Sequence, residues 1–436
     1  MKSEQPTFGE SVRVFARIGL LSFGGPAGQI ALMHDELVDK RRWIEEPQFL
    51  HALNFCHLLP GPEAQQLATY IGWRLHGLRG GLMAGTLFLL PGVAIILALS
   101  MLYVAAAGLD WFAALFLGIK AAVLAVVVQA LLRIAGRALD TGFKRALAAI
   151  AFVALALFDL PFPLVVLGAG LAGWLAATWR PGWLALKAGG QGADGTPRPL
   201  IAATLRTIAA WGAIWAMPLL VIWVTLGDDH VLMQVGLFFS QLAIVTFGGA
   251  YAVLAYMAQE AVQGFGWLSA GEMADGLGLA ETTPGPLILV TQFVGFLAAY
   301  RDSGPFTPLV AGVLGALVTL WVTFAPCFLW IFTFAPWIDR LQHARRLKGA
   351  LAAITASVVG VIANLSLWFA LHVIFREVSE RRLGPLRFDW PEPLSLNWLA
   401  LCLAVLAMVH LLRLRRPVIE VLALAAGLGL MVGPFI

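Results

Sequence analysis

Two short stretches place polar chemistry inside apolar sequence. "HLLPGP" at 57–62 carries His57 three residues before a Pro-Gly-Pro, and "ETTPGP" at 281–286 carries Glu281 at the same distance. An imidazole and a carboxylate at matched positions can relay protons, because histidine titrates near neutral pH and burial can raise a carboxyl toward it. The competing reading is that both lie in polar mouths and merely form ion pairs. Glu63 aligns with the apolar Leu287 and so lacks a counterpart; it is placed to balance His57 or Arg74, or to gate.

Lys120 lies inside "WFAALFLGIKAAVLAVVVQALL". A lysine at the centre of a buried apolar helix costs roughly 2.5–3.5 kcal/mol on insertion scales, so it must face an interior partner, an anion or water. Snorkelling of its head group to an interface is the alternative. Gln129 and Asn364 offer amides that can hold oxyanion oxygens or bridge helices. Asn54 and the hydroxyls of Ser22, Thr246, Thr282 and Thr283 are lesser candidates, since serine and threonine often bond back to their own helix. Metal-ligand spacing is lacking, and Cys56, Cys327 and Cys402 are far apart, so neither a metal, a cofactor nor a disulfide framework is expected.

The elements that must hold these groups are membrane helices. The chain has 436 residues, 60% hydrophobic and 12% charged, with mean hydropathy +0.84. Soluble domains are roughly 25% charged, so the matching solvent is a bilayer. The net charge of +4 is spread along the chain and suggests no nucleic-acid partner. Apolar runs predict about thirteen helical spans, over 8–26, 50–75, 81–106, 111–133, 144–159, 162–180, 206–226, 231–252, 274–299, 307–334, 348–374, 396–412 and 417–434. The runs near 144–180 share the break "FDLPFP" and form one hairpin or two spans. The opening segment reads as an uncleaved first membrane segment. Residues 28–48 read as an amphipathic interfacial helix anchored by Trp43, with re-entrant backbone as the alternative. The Gly- and Pro-rich 187–199 stretch should be a mobile loop.

Basic residues orient these spans. Clusters at 133–145, 180–206, 335–348 and 413–416 all fall inside if the N-terminus is cytoplasmic. The short loops at 108–110, 159–161 and 227–230 then fall outside and hold no Lys or Arg.

An internal repeat is the most specific signal. "SFGGPA" at 22–27 returns as "TFGGAY" at 246–251, and at the same shift of 224 the Pro-Gly-Pro at 60–62 meets that at 284–286. Met33, Glu36 and Trp43 meet Met257, Glu260 and Trp267. After an insertion the shift is 235, which pairs Pro91 with Pro326, Lys120 with Thr355 and Gln129 with Asn364. The copies begin at the first and eighth spans, so the second enters the membrane in the opposite sense. The expected fold is therefore an all-α polytopic membrane protein of two inverted-topology repeats, with broken or re-entrant helices at the Gly-Gly and Pro-Gly-Pro motifs. Its parts are an N-terminal repeat at 1–180, a linker loop and connecting helix at 181–230, and a C-terminal repeat at 231–436. Such repeats are a hallmark of secondary transporters, whose sites lie where broken helices of both halves meet. A proline-broken helix survives in a bilayer only where protein or water covers its freed backbone. Helix starts after Pro62 and Pro286 would suit an anion. A plain kink for close packing is the alternative. Gly24, Gly25, Gly61, Gly248, Gly249 and Gly285 join the site candidates on these grounds.

These motifs, "SFGGPAGQIALMHDELVDKRRWIEEPQF", "HLLPGPEAQQLATYIGWRLHGLRGGLMAGTLFLLPG" and "TFGGAYAVL…ETTPGPLILVTQFVGF", resemble the long-chain chromate ion transporters over nearly the whole chain. The resemblance implies a bacterial inner-membrane protein that exports chromate and confers resistance. It further implies two homologous domains of opposite orientation, coupling to the proton motive force and some relation to sulfate recognition. Ala250 stands where the first repeat has Pro26, so the N-terminal half is expected to dominate substrate contact.

A tetrahedral dianion fits the groups present: helix N-termini, Lys120, and Arg17 or His57 would supply positive charge. Export of a dianion from a cell negative inside is favoured at roughly 2.3 kcal/mol per charge per 100 mV, so proton coupling is not forced by energetics. An importer of sulfate or another oxyanion has the same requirements. A membrane-embedded lipid-phosphate enzyme is the distant alternative, but a nucleophile cluster and phosphate-gripping arginines are lacking near the Pro-Gly-Pro motifs, and no enzyme activity is expected. The expected partners are chromate or sulfate and the bilayer; a homodimer is compatible with the sequence.

Overall fold

The computed structural model describes residues 6–432 except 24, 107, 186–200, 248–249 and 385. Gly24, Gly248, Gly249 and the 187–199 loop therefore lie outside the described residues. The chain is almost entirely helical. Six helices among the described residues are long and apolar enough to cross a membrane: Glu63–Ala106, Asp110–Ala138, Phe162–Trp179, Ile201–Leu226, Pro308–Trp337 and Arg345–Ile374. Shorter apolar helices cover Val231–Val245, Leu287–Arg301, Trp398–Arg413 and Val418–Val432.

The breaks fall where the sequence places proline and glycine. The expected span 50–75 divides into Glu46–Cys56 and the helix starting at Glu63, on either side of the first Pro-Gly-Pro. The expected span 274–299 divides into Ala270–Thr282 and a helix running from Leu287 to Arg301. The stretch Glu63–Ala106 is two helices that meet at a turn at His76 and Gly77, where φ is −137° and +61°, and Gly72 packs directly against Gly80 across it. The 142–179 region forms two helices, Gly142–Phe158 and Phe162–Trp179, separated at left-handed Asp159. Of residues 28–48, the first part lies in helix Gly25–His34, which widens into a π-helical turn at Asp35–Lys40, and after a non-helical stretch the next helix opens at Glu46.

Element order repeats with the sequence. Phe8–Leu21, Gly25–His34, the π-turn Asp35–Lys40 and Glu46–Cys56 are followed at the 224 shift by Val231–Val245, Ala250–Gln259, the π-turn Glu260–Gly264 and Ala270–Thr282. Asp110–Ala138 and Arg345–Ile374 start one register apart at the 235 shift. A difference appears where helix Gly142–Phe158 would recur: an antiparallel hairpin pairs Val378–Leu383 with Leu386–Pro391. The hairpin is an addition to the all-α expectation. Its first strand is largely exposed and charge-rich, whereas the second alternates Leu386, Phe388 and Trp390 with Arg387 and Asp389, the pattern of a half-buried strand.

The chain packs into two compact units, each drawing on both halves of the sequence: one holds 1–100, 188–250 and 283–345, the other 101–187, 251–282 and 346–436. In the first unit, Pro308–Phe334 packs against Val290–Arg301, Val231–Val245 and Ile201–Leu226. Close approach there depends on small residues: a Cβ on Gly295 would run into Thr319, and one on Gly315 into the Gly295 carbonyl. In the second unit, Asp110–Ala138 packs against Val418–Val432, Trp398–Met408 and Ala270–Thr282. Gly118 and Gly429 allow it, since a Cβ on either would strike backbone of the facing helix.

Candidate anion-transport site

In the first unit the helix breaks hold one another. Gly61 N–H donates to Thr246 O (2.8 Å), and Gly285 N–H donates to Ser22 O (2.9 Å). Each bond joins the Pro-Gly-Pro at one position to the residue capping the C-terminus of a helix, Thr246 or Ser22, and the 224 shift converts one bond into the other. Lipid offers backbone groups no partner, so reciprocal pairing satisfies breaks that would otherwise be costly. Buried glutamines reinforce them. Gln29 Nε2 donates to Gly285 O (2.6 Å) and Ser22 O (3.2 Å), and Gln66 Nε2 donates to Pro60 O (2.6 Å). Gly61 and Gly285 have φ of +120° and +100°, a region side chains disfavour, which explains the glycine in each motif. The Gly61 and Gly285 N–H groups are thus engaged by carbonyls and distinct from the helix starts after Pro62 and Pro286 that were expected to suit an anion.

The hydroxyls follow the back-bonding pattern. Ser22 donates to Gly19 O, Thr246 to Leu242 O and Thr282 to Leu279 O. Thr283 is buried, Asn54 is exposed, and Gly25 has φ +68° with open space around it. His57 lies past the end of Glu46–Cys56 and pairs with Glu63 at 3.0 Å, with 44% and 20% of their side chains exposed. Glu63 thus balances His57, as the sequence allowed, in a setting where an ion pair contributes roughly 0–1 kcal/mol.

Next to this region, Glu36 is buried and bonded to Lys40 at 3.1 Å and to Arg41. Burial opposes its charge, yet Lys40, Arg41 and Arg17 hold its carboxyl below the ordinary range. Arg41 also covers Trp43, which fixes the C-terminal end of the 28–48 segment.

The second unit holds the charged cluster. Lys120 Nζ lies 3.1 Å from Asp275 Oδ1, with 23% and 7% of the side chains exposed. The contact is of ion-pair length, but Oδ1 receives no aligned hydrogen bond. Tyr103 Oη–H donates to Asp275 Oδ2 at 2.8 Å. Lys120 is therefore neither free nor snorkelled: it faces a buried carboxylate. Farther along the same helix Arg133 donates to Gln129 Oε1 (3.1 Å), and its charge also acts on Glu281. Glu281 accepts from Tyr251 Oη–H at 2.8 Å. Asn364 lines a cavity of about 410 Å³ together with Trp368, Arg387 and Asp389. Its repeat counterpart Gln129 is held by Arg133 instead, so the two amides have different surroundings.

Asp275, Tyr103 and Tyr251 were not among the sequence candidates. The signal for Asp275 was present: the register that aligns His57 with Glu281 aligns His51 with Asp275 six residues earlier. Two imidazole–carboxylate correspondences, not one, mark these helices. No group of three or more His, Cys, Asp or Glu placed to hold a metal occurs among the described residues.

Helices broken at reciprocal glycine turns, with a lysine–carboxylate pair set between apolar helices, are features of a multi-pass membrane transport protein. Residues 9–174 and 233–430 match the family described as chromate transporter. A chromate transport protein of Pseudomonas aeruginosa is 34% identical over 355 residues, covering 80% of this chain and 77% of its own. One of Cupriavidus metallidurans is 28% identical over 362 residues, covering 82% and 81%. A probable chromate transport protein of Synechococcus elongatus is 28% identical over 353 residues, covering 80% and 81%. No solved structure matches the chain. The chain belongs to the chromate transporter family, whose members are transport proteins and not enzymes.

Proposed function

We propose that this protein exports chromate across the bacterial inner membrane and thereby gives chromate resistance, with its N-terminus in the cytoplasm. The observation that carries the reading is the reciprocal pair of bonds, Gly61 to Thr246 and Gly285 to Ser22. A pair of bonds that exchange when the repeats exchange is what a pseudo-two-fold between inverted halves produces, and transporters build their sites from such broken helices. The inverted repeats are those at 1–180 and 231–436. Chromate carries two negative charges, so the membrane potential alone favours its exit at roughly 2.3 kcal/mol per charge per 100 mV. Lys120 supplies the positive charge for the anion, with Gln129 and Asn364 as amide donors. His57, Glu63 and Glu281 are candidates for carrying protons, and Ser22, Thr246, Thr282, Thr283 and Asn54 for secondary contacts.

Labelled chromate and sulfate offered to everted vesicles, with pH and electrical gradients imposed separately, test this function. We expect chromate to accumulate when the lumen is positive. Accumulation of sulfate in right-side-out vesicles, without chromate in everted ones, would replace export by oxyanion import. Transport of neither anion would refute both.

A further inference from the structure

We propose that Asp275 controls the access of an oxyanion to Lys120: a proton taken up by the Asp275 carboxylate releases the Lys120 ammonium, which then holds the anion. The inference deepens the transport reading and rests on it. Lys120 is the one charged group deep in the apolar part of helix Asp110–Ala138, and in the structure its charge is answered by Asp275. An approaching oxyanion meets not a free cation but a neutral pair whose negative member would repel it. Asp275 Oδ1 lies 3.1 Å from Nζ without an aligned hydrogen bond, and the residue is 95% buried, with 5% of its surface exposed. Across from the ammonium stands Gly271, where a Cβ would just touch Nζ at 3.4 Å.

Three ionisable groups bear on Asp275. Lys120 approaches from helix Asp110–Ala138. Tyr103 donates its hydroxyl from the end of Glu63–Ala106. Glu272 acts from the same helix as Asp275, while accepting from Ser269 N–H and Oγ–H at 2.9 Å each. Tyr103 can still bond the protonated acid, so the carboxyl keeps a partner after Lys120 leaves. The balance is simple. Carboxylate plus proton gives the neutral acid, and the pair passes from zero charge to plus one. A bound dianion brings the site to minus one, so the loaded site still moves outward with the potential. By linkage, the proton raises anion affinity by the same factor as the anion raises proton affinity.

The test is calorimetric chromate binding to the purified protein in lipid nanodiscs, in two buffers of different ionisation enthalpy, with chromate's own protonation subtracted. We expect about one proton taken up per anion bound. Asp275→Asn should bind chromate with no proton uptake and an affinity independent of pH, and Lys120→Met should bind it roughly 10- to 100-fold more weakly. Tyr103→Phe removes a donor that favours the charged carboxylate, so uptake should persist with its midpoint moved to higher pH; this variant serves if Asp275→Asn does not fold. Proton uptake that survives in Asp275→Asn, or an unmoved midpoint in Tyr103→Phe, overturns the proposal. Binding to wild type without proton uptake overturns it and leaves the transport reading standing. Absence of chromate binding to wild type overturns both.

Discussion

Lys120→Met should cut chromate transport by roughly 10- to 100-fold, the loss of one charge-assisted contact of about 1.5–3 kcal/mol. The same substitution should lower the amount of folded protein, because it strands a carboxylate that is 95% buried. Removing one partner of a buried pair costs about 3–5 kcal/mol, and the lower end applies since 23% of the Lys120 side chain is exposed. The two effects separate in the double variant Lys120→Met, Asp275→Asn, which strands no charge. Its folded yield and melting temperature should return toward wild type while transport stays lost. Vesicle transport normalised to folded protein decides the matter. Recovery of transport in the double variant would show that Lys120 is needed only to neutralise Asp275.

Gly61→Ala should destabilise the protein by about 2–4 kcal/mol, and Gly285→Ala by about 1–3 kcal/mol. A non-glycine residue at φ +120° or +100° is strained wherever it stands. The larger effect at Gly61 has a further cause: a Cβ there would lie 2.8 Å from Gln66 Nε2 and 3.0 Å from Cys327 Sγ. Gln66 would have to give up its bond to Pro60 O, worth about 1 kcal/mol. At Gly285 the nearest atom is the movable Leu289 Cδ1, at 2.9 Å. Gly168→Ala is the control, an exposed helical glycine with nothing within 4 Å of the added carbon, and it should be neutral or slightly stabilising. Thermal unfolding in detergent measures all three. Equal melting of Gly61→Ala and Gly168→Ala would remove the strained break from the account.

The breaks were legible in the sequence because glycine and proline act locally, and a register repeated at a fixed shift points to the same turn twice. The partners of those breaks were not. Ser22 and Thr246 were weighed for their hydroxyls, whereas their carbonyls make the bonds to Gly285 and Gly61. A main-chain group carries no residue-type signal. Lys120 stood out as a charge in an apolar helix, but its partner did not, because Asp275 is one of three acids in the mixed stretch "GEMADGLGLAET", and Glu281, beside the Pro-Gly-Pro, drew the attention. Gln29 was hidden for another reason: its repeat counterpart is Val253, so symmetry gave it no weight. The hairpin at 378–391 was hidden by its polar first strand, although Gly384 at φ +61° marks the kind of turn that glycine favours and Leu386, Phe388 and Trp390 alternate with charges after it.

Opposite membrane orientation of the two halves is the central claim, and thiol labelling tests it most directly. Asp110 and Arg345 each open a helix, are exposed, and lie one repeat apart. Single cysteines at these positions, with the exposed Cys402 replaced by serine, can be probed with an impermeant maleimide in intact cells and in everted vesicles. The account predicts that Asp110→Cys reacts only in intact cells and Arg345→Cys only in everted vesicles. Reaction of both from the same side would contradict it.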